Sequence, residues 1–140
     1  MNKMNEPDSS PRSRKYIEIT AKIAQDVSPV SNAKLAAIIV LNNQVVSIGT
    51  CQYKTHPFQA KYKPNKHADY WHAETNAIFN ALRRIKPDDL SNATLYVARV
   101  RRDGSFGMSK PCSGCQHAID HFHIKQVIYT DVGQILKMYN

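Results

Sequence analysis

The fold of this chain is decided by two segments, HAETNAIFNAL at residues 72–82 and PCSGC at residues 111–115. Each segment predicts a helix start, because an apolar pattern of helical period follows the first and a proline suited to a first turn opens the second. Positions i and i+2 point to different sides of a helix body. A partner shared by His72 and Glu74 must therefore lie off the N-terminal end of the helix.

The two cysteines of the second segment are typical of a metal site. Cys112 and Cys115 lie one turn apart at a helix start, where unpaired N–H groups lower the pKa of a thiol. Taken alone, a CxxC is equally a redox pair or two unrelated core cysteines, and a His-Ala-Glu is often a solvated helix start. Their conjunction favours zinc bound by His72, Cys112 and Cys115.

The number of ligands bears on what such a zinc ion does. Three protein ligands leave a fourth zinc position open for water, which is the arrangement of catalytic rather than structural sites. Zinc lowers the pKa of that water to about 7, so hydroxide is available at neutral pH. Glu74, close to the metal but not a ligand, is the candidate general acid and base.

Composition narrows the class of protein and its partners. The length of 140 residues suits one domain with a single core. No apolar run approaches the roughly 20 residues that span a bilayer, and the polar N-terminus lacks a signal peptide, so we expect no membrane partner and a cytoplasmic location. The 3 cysteines, an odd number, favour metal or redox chemistry over disulfides. The net charge of +8 attracts phosphate-bearing molecules, free nucleotides and polymers alike.

Hydrophobic periodicity predicts a mixed sheet with helices packed on its faces. Residues 1–14 are predicted to be a disordered, basic and polar arm, and residues 15–140 to be the folded domain. The predicted order after the arm is α-β-β-α-β-α-β. Its elements are a helix from Tyr16 to Ser28, strands at 33–41 and 44–48, a helix from about Trp71 to Pro87, a strand at 94–100, a helix from Pro111 or Cys112 to about His121, and a strand at 126–130. Asn42-Asn43 is predicted to form a tight hairpin turn, and the tail after Asp131 a short helix.

Two further segments, residues 49–70 and 101–110, are predicted to be long loops. The part from Lys54 to His67 mixes basic and aromatic side chains, which suits phosphate contact with base stacking. A solvated loop of snorkelling lysines explains the same composition equally well. Asp69 is the candidate N-cap of the helix that follows.

Three features together resemble the cytidine/deoxycytidylate deaminase superfamily, and within it the deoxycytidylate (dCMP) type found in phages and bacteria. They are HAE followed by Asn76-Ala77, TLYV at residues 94–97, and PCSGC. The resemblance covers about residues 16–131. It implies an α/β fold of three layers, with a mixed five-stranded sheet and helices on both faces.

The resemblance also implies roles for the site residues. His72, Cys112 and Cys115 would bind Zn²⁺, Glu74 would shuttle protons, and the backbone of Ala73 would contact the base. The implied reaction is hydrolytic deamination of a free cytosine nucleotide, dCMP to dUMP, by zinc-bound hydroxide. The implied assembly is a homo-oligomer.

Two other functions stay open. The basic charge suits a deaminase that acts on a base in RNA or single-stranded DNA. The third candidate is a non-catalytic nucleic-acid-binding module stabilised by zinc. That module would need a fourth protein ligand, for which Cys51 or another histidine is the candidate, and it would leave Glu74 without a role.

Two departures from the family's pattern bear on substrate binding. Cys51 stands where the family usually has an asparagine that contacts the sugar, although a small buried strand cysteine is the simpler interpretation. Residues 101–110 lengthen the connection from TLYV to PCSGC. They form either a lid, with Phe106 over the base and basic side chains on phosphate, or a neutral insertion. The predicted substrate-binding set is Ala73, Cys51, Lys54, Arg101, Arg102 and Phe106.

Overall fold

The computed structural model describes residues 5–27, 34–54, 56–62 and 70–139, which form a sheet with helices on both faces. The strands are β1 (Asn5–Pro7), β2 (Lys34–Leu41), β3 (Gln44–Thr50), β4 (Thr94–Val100), β5 (Phe106–Gly107), β6 (Gln126–Asp131) and β7 (Gln134–Tyr139). The helices are α1 (Pro11–Asp26), α2 (Pro57–Ala60), α3 (Ala73–Leu82) and α4 (Ser113–His121), with a 3-10 helix at Pro87–Asn92. Within the described ranges, no helix is both long enough and apolar enough to cross a bilayer.

The sheet is mixed, as predicted. Its strand order is β1-β7-β6-β4-β2-β3, and β5 pairs with β4. Strands β4 and β6 are parallel, whereas the other pairs are antiparallel. A parallel pair requires a crossover connection, and here the crossover contains α4. The start of α4 therefore follows the edge of the sheet at which β4 ends.

Alternate residues of the central strands face different helices, as the strand period of two requires. One face packs against α1, and its strand residues are Ala36, Ile38, Val40, Tyr96, Ala98, Val100 and Ile128. The other face packs against α3 and α4, and its strand residues are Ala37, Ile39, Leu95, Val97, Val127 and Tyr129. The predicted three-layer arrangement is confirmed.

The predicted hairpin between β2 and β3 is also confirmed. Asn42 and Asn43 adopt φ angles of 52° and 63°, the left-handed region that asparagine tolerates better than most residues. The Tyr16 hydroxyl on α1 donates a hydrogen bond to the carbonyl oxygen of Asn43 at 3.0 Å. The turn is thus tied to the helix that covers this face of the sheet.

Residues 5–14 contain a strand and the start of a helix, where the sequence predicted a disordered arm. Strand β1 pairs with β7 at the edge of the sheet. The Ser10 side chain caps α1 by accepting a hydrogen bond from the N–H of Ser13 at 3.2 Å, and Pro11 lies in the first turn. Serine followed by proline is an ordinary helix-start signal. The helix accordingly begins at Pro11 rather than at the predicted Tyr16.

The tail after Asp131 is a strand and not the predicted short helix. Gly133, at φ +73°, turns the chain, and β7 returns antiparallel to β6. In this position Met138 is 2% exposed, so the strand buries an apolar side chain in the core. Strands β1, β5 and β7 add to the four strands of the predicted order, so the described part of the chain forms a sheet of seven strands where the resemblance implied five.

Candidate active site

Two helix starts converge on the predicted zinc ligands. His72 is the N-cap residue of α3, and Cys112 is the N-cap residue of α4. The Nδ1 atom of His72 lies 3.3 Å from the Sγ atom of Cys115 and 3.6 Å from that of Cys112. Asp69, the predicted N-cap, lies outside the described residues. The donor atoms of His72, Cys112 and Cys115 all lie within 4.8 Å of one another, the one such group in the described part of the chain.

The spacing of these donors fits a zinc ion. Tetrahedral zinc, with Zn–S of about 2.3 Å and Zn–N of about 2.0 Å, holds its nitrogen and sulfur ligands about 3.5 Å apart. The two measured nitrogen–sulfur separations, 3.3 and 3.6 Å, bracket that value. One imidazole and two thiolates are also ligand types that zinc accepts. The residues present therefore fit the metal.

The hydrogen bonds around the cysteine pair favour a thiolate, which a cation can bind. A hydrogen bond from Cys115 lowers the pKa of the Cys112 thiol to about 4, and a hydrogen bond with His72 adds to this effect. The proton stays on Cys115, whose pKa is raised by the same hydrogen bond to Cys112 and by burial. The backbone N–H of Cys115 also lies 3.5 Å from the Cys112 sulfur. Metal binding to such a pair releases the shared proton.

Glu74 lies in the first turn of α3, beside the ligand group but outside it. Its side chain is 5% exposed. Burial raises the pKa of this carboxyl to about 6, although the positive charge of His72 acts in the opposite direction. A hydrogen bond also joins the carboxyl to the side chain of Cys115. The carboxyl group is therefore held against a ligand without being one.

Cys51 borders the site from the end of β3. Its thiol accepts a hydrogen bond from the backbone N–H of Ala73, and burial together with the charge of Glu74 raises its pKa to about 12. The sulfur is thus a neutral thiol, and it does not belong to the group of close metal donors in the described chain. Because the N–H of Ala73 already donates to Cys51, a base contact through that N–H requires the thiol to turn away.

A glutamine that sequence reasoning missed supports the first turn of α3. Gln59, on the short helix α2, is 2% exposed. Its Oε1 atom accepts hydrogen bonds from the backbone N–H of His72 at 2.9 Å and from the Thr75 hydroxyl. Nearby, the ring of His56 stacks on that of Trp71 at 4.0 Å between centroids. Helix α2 is therefore docked on the residues that carry the histidine ligand.

We expect Gln59→Leu to weaken zinc binding by about 10–100-fold, the usual cost of losing a group that orients a metal ligand. The variant leaves the N–H of His72 without its acceptor, while the side chain keeps nearly the same volume. Competition with a chelating dye measures the affinity. The control is Gln134→Leu, at an exposed position at the start of β7. An affinity equal to that of the parent protein would show that Gln59 does not support the ligand.

Strand β3 and helix α3 approach each other closely at Gly49. A Cβ atom at this position would lie 2.2 Å from the carbonyl oxygen of Ala73 and 2.3 Å from the backbone nitrogen of Ala77. At the last residue of the strand, the N–H of Thr50 donates a hydrogen bond to Asn76 Oδ1 at 3.0 Å. These contacts hold the end of β3, and with it Cys51, against the first turn of α3.

The structure does not bring every predicted substrate contact to the site. Phe106 packs in the clusters of the α1 face, on the other side of the sheet from His72, so the structure does not place it over the base as the lid alternative requires. Arg102 is exposed in the turn that follows β4. Lys54 is exposed after β3, and residues 63–69 of the same predicted loop lie outside the described residues.

The predicted loop at residues 101–110 is largely a hairpin. Strand β5 pairs antiparallel with the end of β4. The turn is closed by Asp103, whose side chain accepts a hydrogen bond from the N–H of Ser105 at 3.0 Å, and by Gly104 at φ +89°. After β5, the hydroxyl of Ser109 donates to the carbonyl of Val97 at 2.9 Å. The insertion is thus anchored on the sheet before the chain enters α4.

Comparison with known families agrees with the geometry of the site. A model of the cytidine and deoxycytidylate deaminase zinc-binding region matches residues 10–131. The chain belongs to this family, which confirms the resemblance inferred from the sequence. It is a zinc-dependent deaminase. A search of curated proteins finds no match.

Solved structures share the fold at low sequence identity. The dCMP deaminase of cyanophage S-TIM5 in apo form has a TM-score of 0.61 at 21% identity, over 87% of this chain and 85% of that one. The guanine deaminase of Bacillus subtilis has a TM-score of 0.57 at 19% identity, over 84% of this chain and 63% of that one. A structure from work on A-to-I editing by tRNA:A34 deaminases has a TM-score of 0.55 at 21% identity, over 83% of this chain and 74% of that one. At such identities the likeness establishes the fold.

Proposed function

We propose that this chain converts dCMP to dUMP by hydrolytic deamination. The observation that carries the proposal is the convergence of His72, Cys112 and Cys115, with buried Glu74 beside them. His72, Cys112 and Cys115 would hold zinc, which would lower the pKa of a water molecule to about 7 and so supply the nucleophile. Glu74 takes the proton of that water and delivers protons to the ring nitrogen and the leaving amine. The oxygen of water thereby replaces the amino group of the base, which becomes a carbonyl, and the amino group leaves as ammonia.

The choice of a free cytosine nucleotide rests on three supports. The residue pattern resembles the dCMP type of the superfamily. The likeness to the cyanophage dCMP deaminase, also solved in complex with dCMP and dUMP, extends over most of both chains. The net charge of +8 attracts a phosphate-bearing substrate. The homo-oligomer and the cytoplasmic location stay predictions.

A second candidate is deamination of a base within a nucleic acid. The basic net charge and the likeness to a structure of tRNA:A34 deaminases favour it. The zinc-stabilised binding module is less well supported. Structural zinc normally has four protein ligands, whereas the described donor group has His72, Cys112 and Cys115.

One experiment separates these functions. Zinc-loaded protein is incubated with dCMP, deoxycytidine, guanine and oligonucleotides containing cytosine or adenine, and released ammonia is measured. We expect dCMP to react fastest, with only mild inhibition by salt, because a single nucleotide engages few charges. Deamination of an oligonucleotide but not of dCMP would contradict our proposal and support deamination of a base within a nucleic acid. Bound zinc with no ammonia from any substrate would favour the binding module.

Metal content is measured on the same preparations. We expect one zinc per chain and its loss in Cys112→Ser, because that variant removes a thiolate from the donor group. The matched control is Cys51→Ser, which changes the neighbouring cysteine outside the group and should keep the metal. Zinc lost from both variants would instead indicate a closed site of four ligands.

A further inference from the structure

Arg99 lies near the end of β4, on the face of the sheet that carries the metal site. Leu95 and Val97 of the same strand pack in the cluster shared with α3. Because side chains alternate along a strand, Arg99 projects from that same face. The residue is half-buried, and its backbone N–H donates a hydrogen bond to Thr130 Oγ1 at 3.1 Å.

The neighbouring strand leaves room for this side chain. Gly107 of β5 is the register partner of Arg99. A Cβ atom at Gly107 would lie 3.1 Å from Cδ of Arg99, 3.3 Å from its Cγ, and 3.5 Å from Cγ of Arg101. The stems of two arginines therefore lie side by side over Gly107. Both are on the metal-site face, whereas Phe106 packs on the opposite face.

Arg99 lies close enough to Cys51 for its charge to act on that thiol. Burial raises the pKa of the Cys51 thiol, and the positive charge of Arg99 acts against that effect. Cys51 in turn borders Ala73 and Glu74. Within the described ranges, no carboxylate forms a salt bridge with Arg99. Arg99 is therefore a half-buried arginine on the metal-site face, without a salt bridge to any carboxylate of the described residues.

We propose that Arg99, together with Arg101, binds the phosphate of the nucleotide substrate and so favours the monophosphate over the nucleoside. This inference rests on the proposed function. A guanidinium suits the task because it donates two parallel hydrogen bonds to phosphate oxygens and keeps its charge at any physiological pH. The assignment replaces part of the sequence prediction, since the stem of Arg101 lies beside that of Arg99 over Gly107, whereas Arg102 is exposed in the turn and is not among the nearest atoms there.

Steady-state kinetics with dCMP and deoxycytidine test the proposal on zinc-loaded protein. The ratio of kcat/KM for dCMP to that for deoxycytidine should fall about tenfold or more in Arg99→Gln, since a charge-assisted hydrogen bond is lost. The loss should appear in KM for dCMP. Arg101→Gln should lower the ratio less, because Arg101 is exposed. Arg102→Gln removes the same charge from the same hairpin and should keep the parent ratio.

A second variant distinguishes loss of the phosphate contact from misfolding of the chain. Arg99→Lys keeps the charge and loses the forked donor, so its ratio should lie between those of the parent and of Arg99→Gln. An unchanged ratio in Arg99→Gln, or an equal loss for both substrates, would overturn the inference while leaving the proposed function intact. Absence of dCMP turnover by the parent protein would overturn the proposed function, and this inference with it.

Discussion

Replacing Glu74 by glutamine is expected to lower kcat by about 10²–10⁴-fold while the chain still binds one zinc. Glutamine has nearly the same shape, so it can fill the buried space in the first turn of α3 beside Cys115. It cannot accept and return a proton as a carboxylate does. The ligand group should therefore survive, and the proton transfers should not. Ammonia release gives the rate, and elemental analysis gives the metal content.

The control is Glu18→Gln, the same substitution at an exposed position on α1. This residue lies on the helix that covers the opposite face of the sheet, so rate and zinc content should both stay at the parent values. If Glu74→Gln worked at a near-normal rate with its zinc in place, Glu74 would not be the proton shuttle. Another group would then have to accept and return the proton.

The metal site was predictable because its signals are local. His72 and Cys112 cap two helices, and helix starts leave clear marks in the sequence. What the sequence does not contain is the distance between the two starts, which the sheet sets by placing α3 and α4 on one face. The proximity of the two helix starts was predicted because the ligand types and their spacing match a known pattern.

The central strands were predictable for a similar reason. Two-residue alternation divides the side chains of β2 and β4 between two helical layers, and the Asn42-Asn43 turn marks the hairpin. The elements that were missed are short or depend on a distant partner. Helix α2 has 4 residues, too few for any period to show. Strand β1 exists only through its pairing with β7, at the other end of the chain.

The side chains around the site were likewise predictable only where the sequence pattern contains a local signal. Gln59 supports His72 through tertiary contact, and nothing in a polar segment distinguishes it from other loop residues. Arg99 did leave a signal, because it continues the alternation of Leu95 and Val97 toward the metal-site face. Phe106 was assigned to the base although its face depends on the register of β5, which the sequence does not give.

Gly49→Ala should damage the active site severely, although it adds only one methyl group. The new Cβ would lie 2.2 Å from the carbonyl oxygen of Ala73, and 2.3 and 2.8 Å from the backbone nitrogen and Cα of Ala77. These are backbone atoms of α3, which cannot rotate out of the way as a side chain would. Strand and helix must move apart, and overpacking of this kind costs about 1–3 kcal/mol, occasionally more.

The displacement of α3 should also lower the zinc affinity and the rate of the reaction. Helix α3 carries His72 at its N-cap and Glu74 in its first turn, so a shift of the helix moves a ligand and the acid–base group together. A misplacement of about 1 Å can cost about 10²-fold in rate. We therefore expect Gly49→Ala to lower the melting temperature, the zinc affinity and kcat, measured by thermal unfolding, chelator competition and ammonia release.

The control for this variant is Gly133→Ala in the turn between β6 and β7. An added Cβ at Gly133 meets nothing within 4 Å, although its φ of +73° disfavours alanine. That strain costs about 1–2 kcal/mol, so the control should also lose stability. It should keep the zinc affinity, because the turn lies away from α3. Equal zinc affinity in Gly49→Ala and the parent protein would mean that strand and helix do not meet at Gly49 as closely as the structure has them.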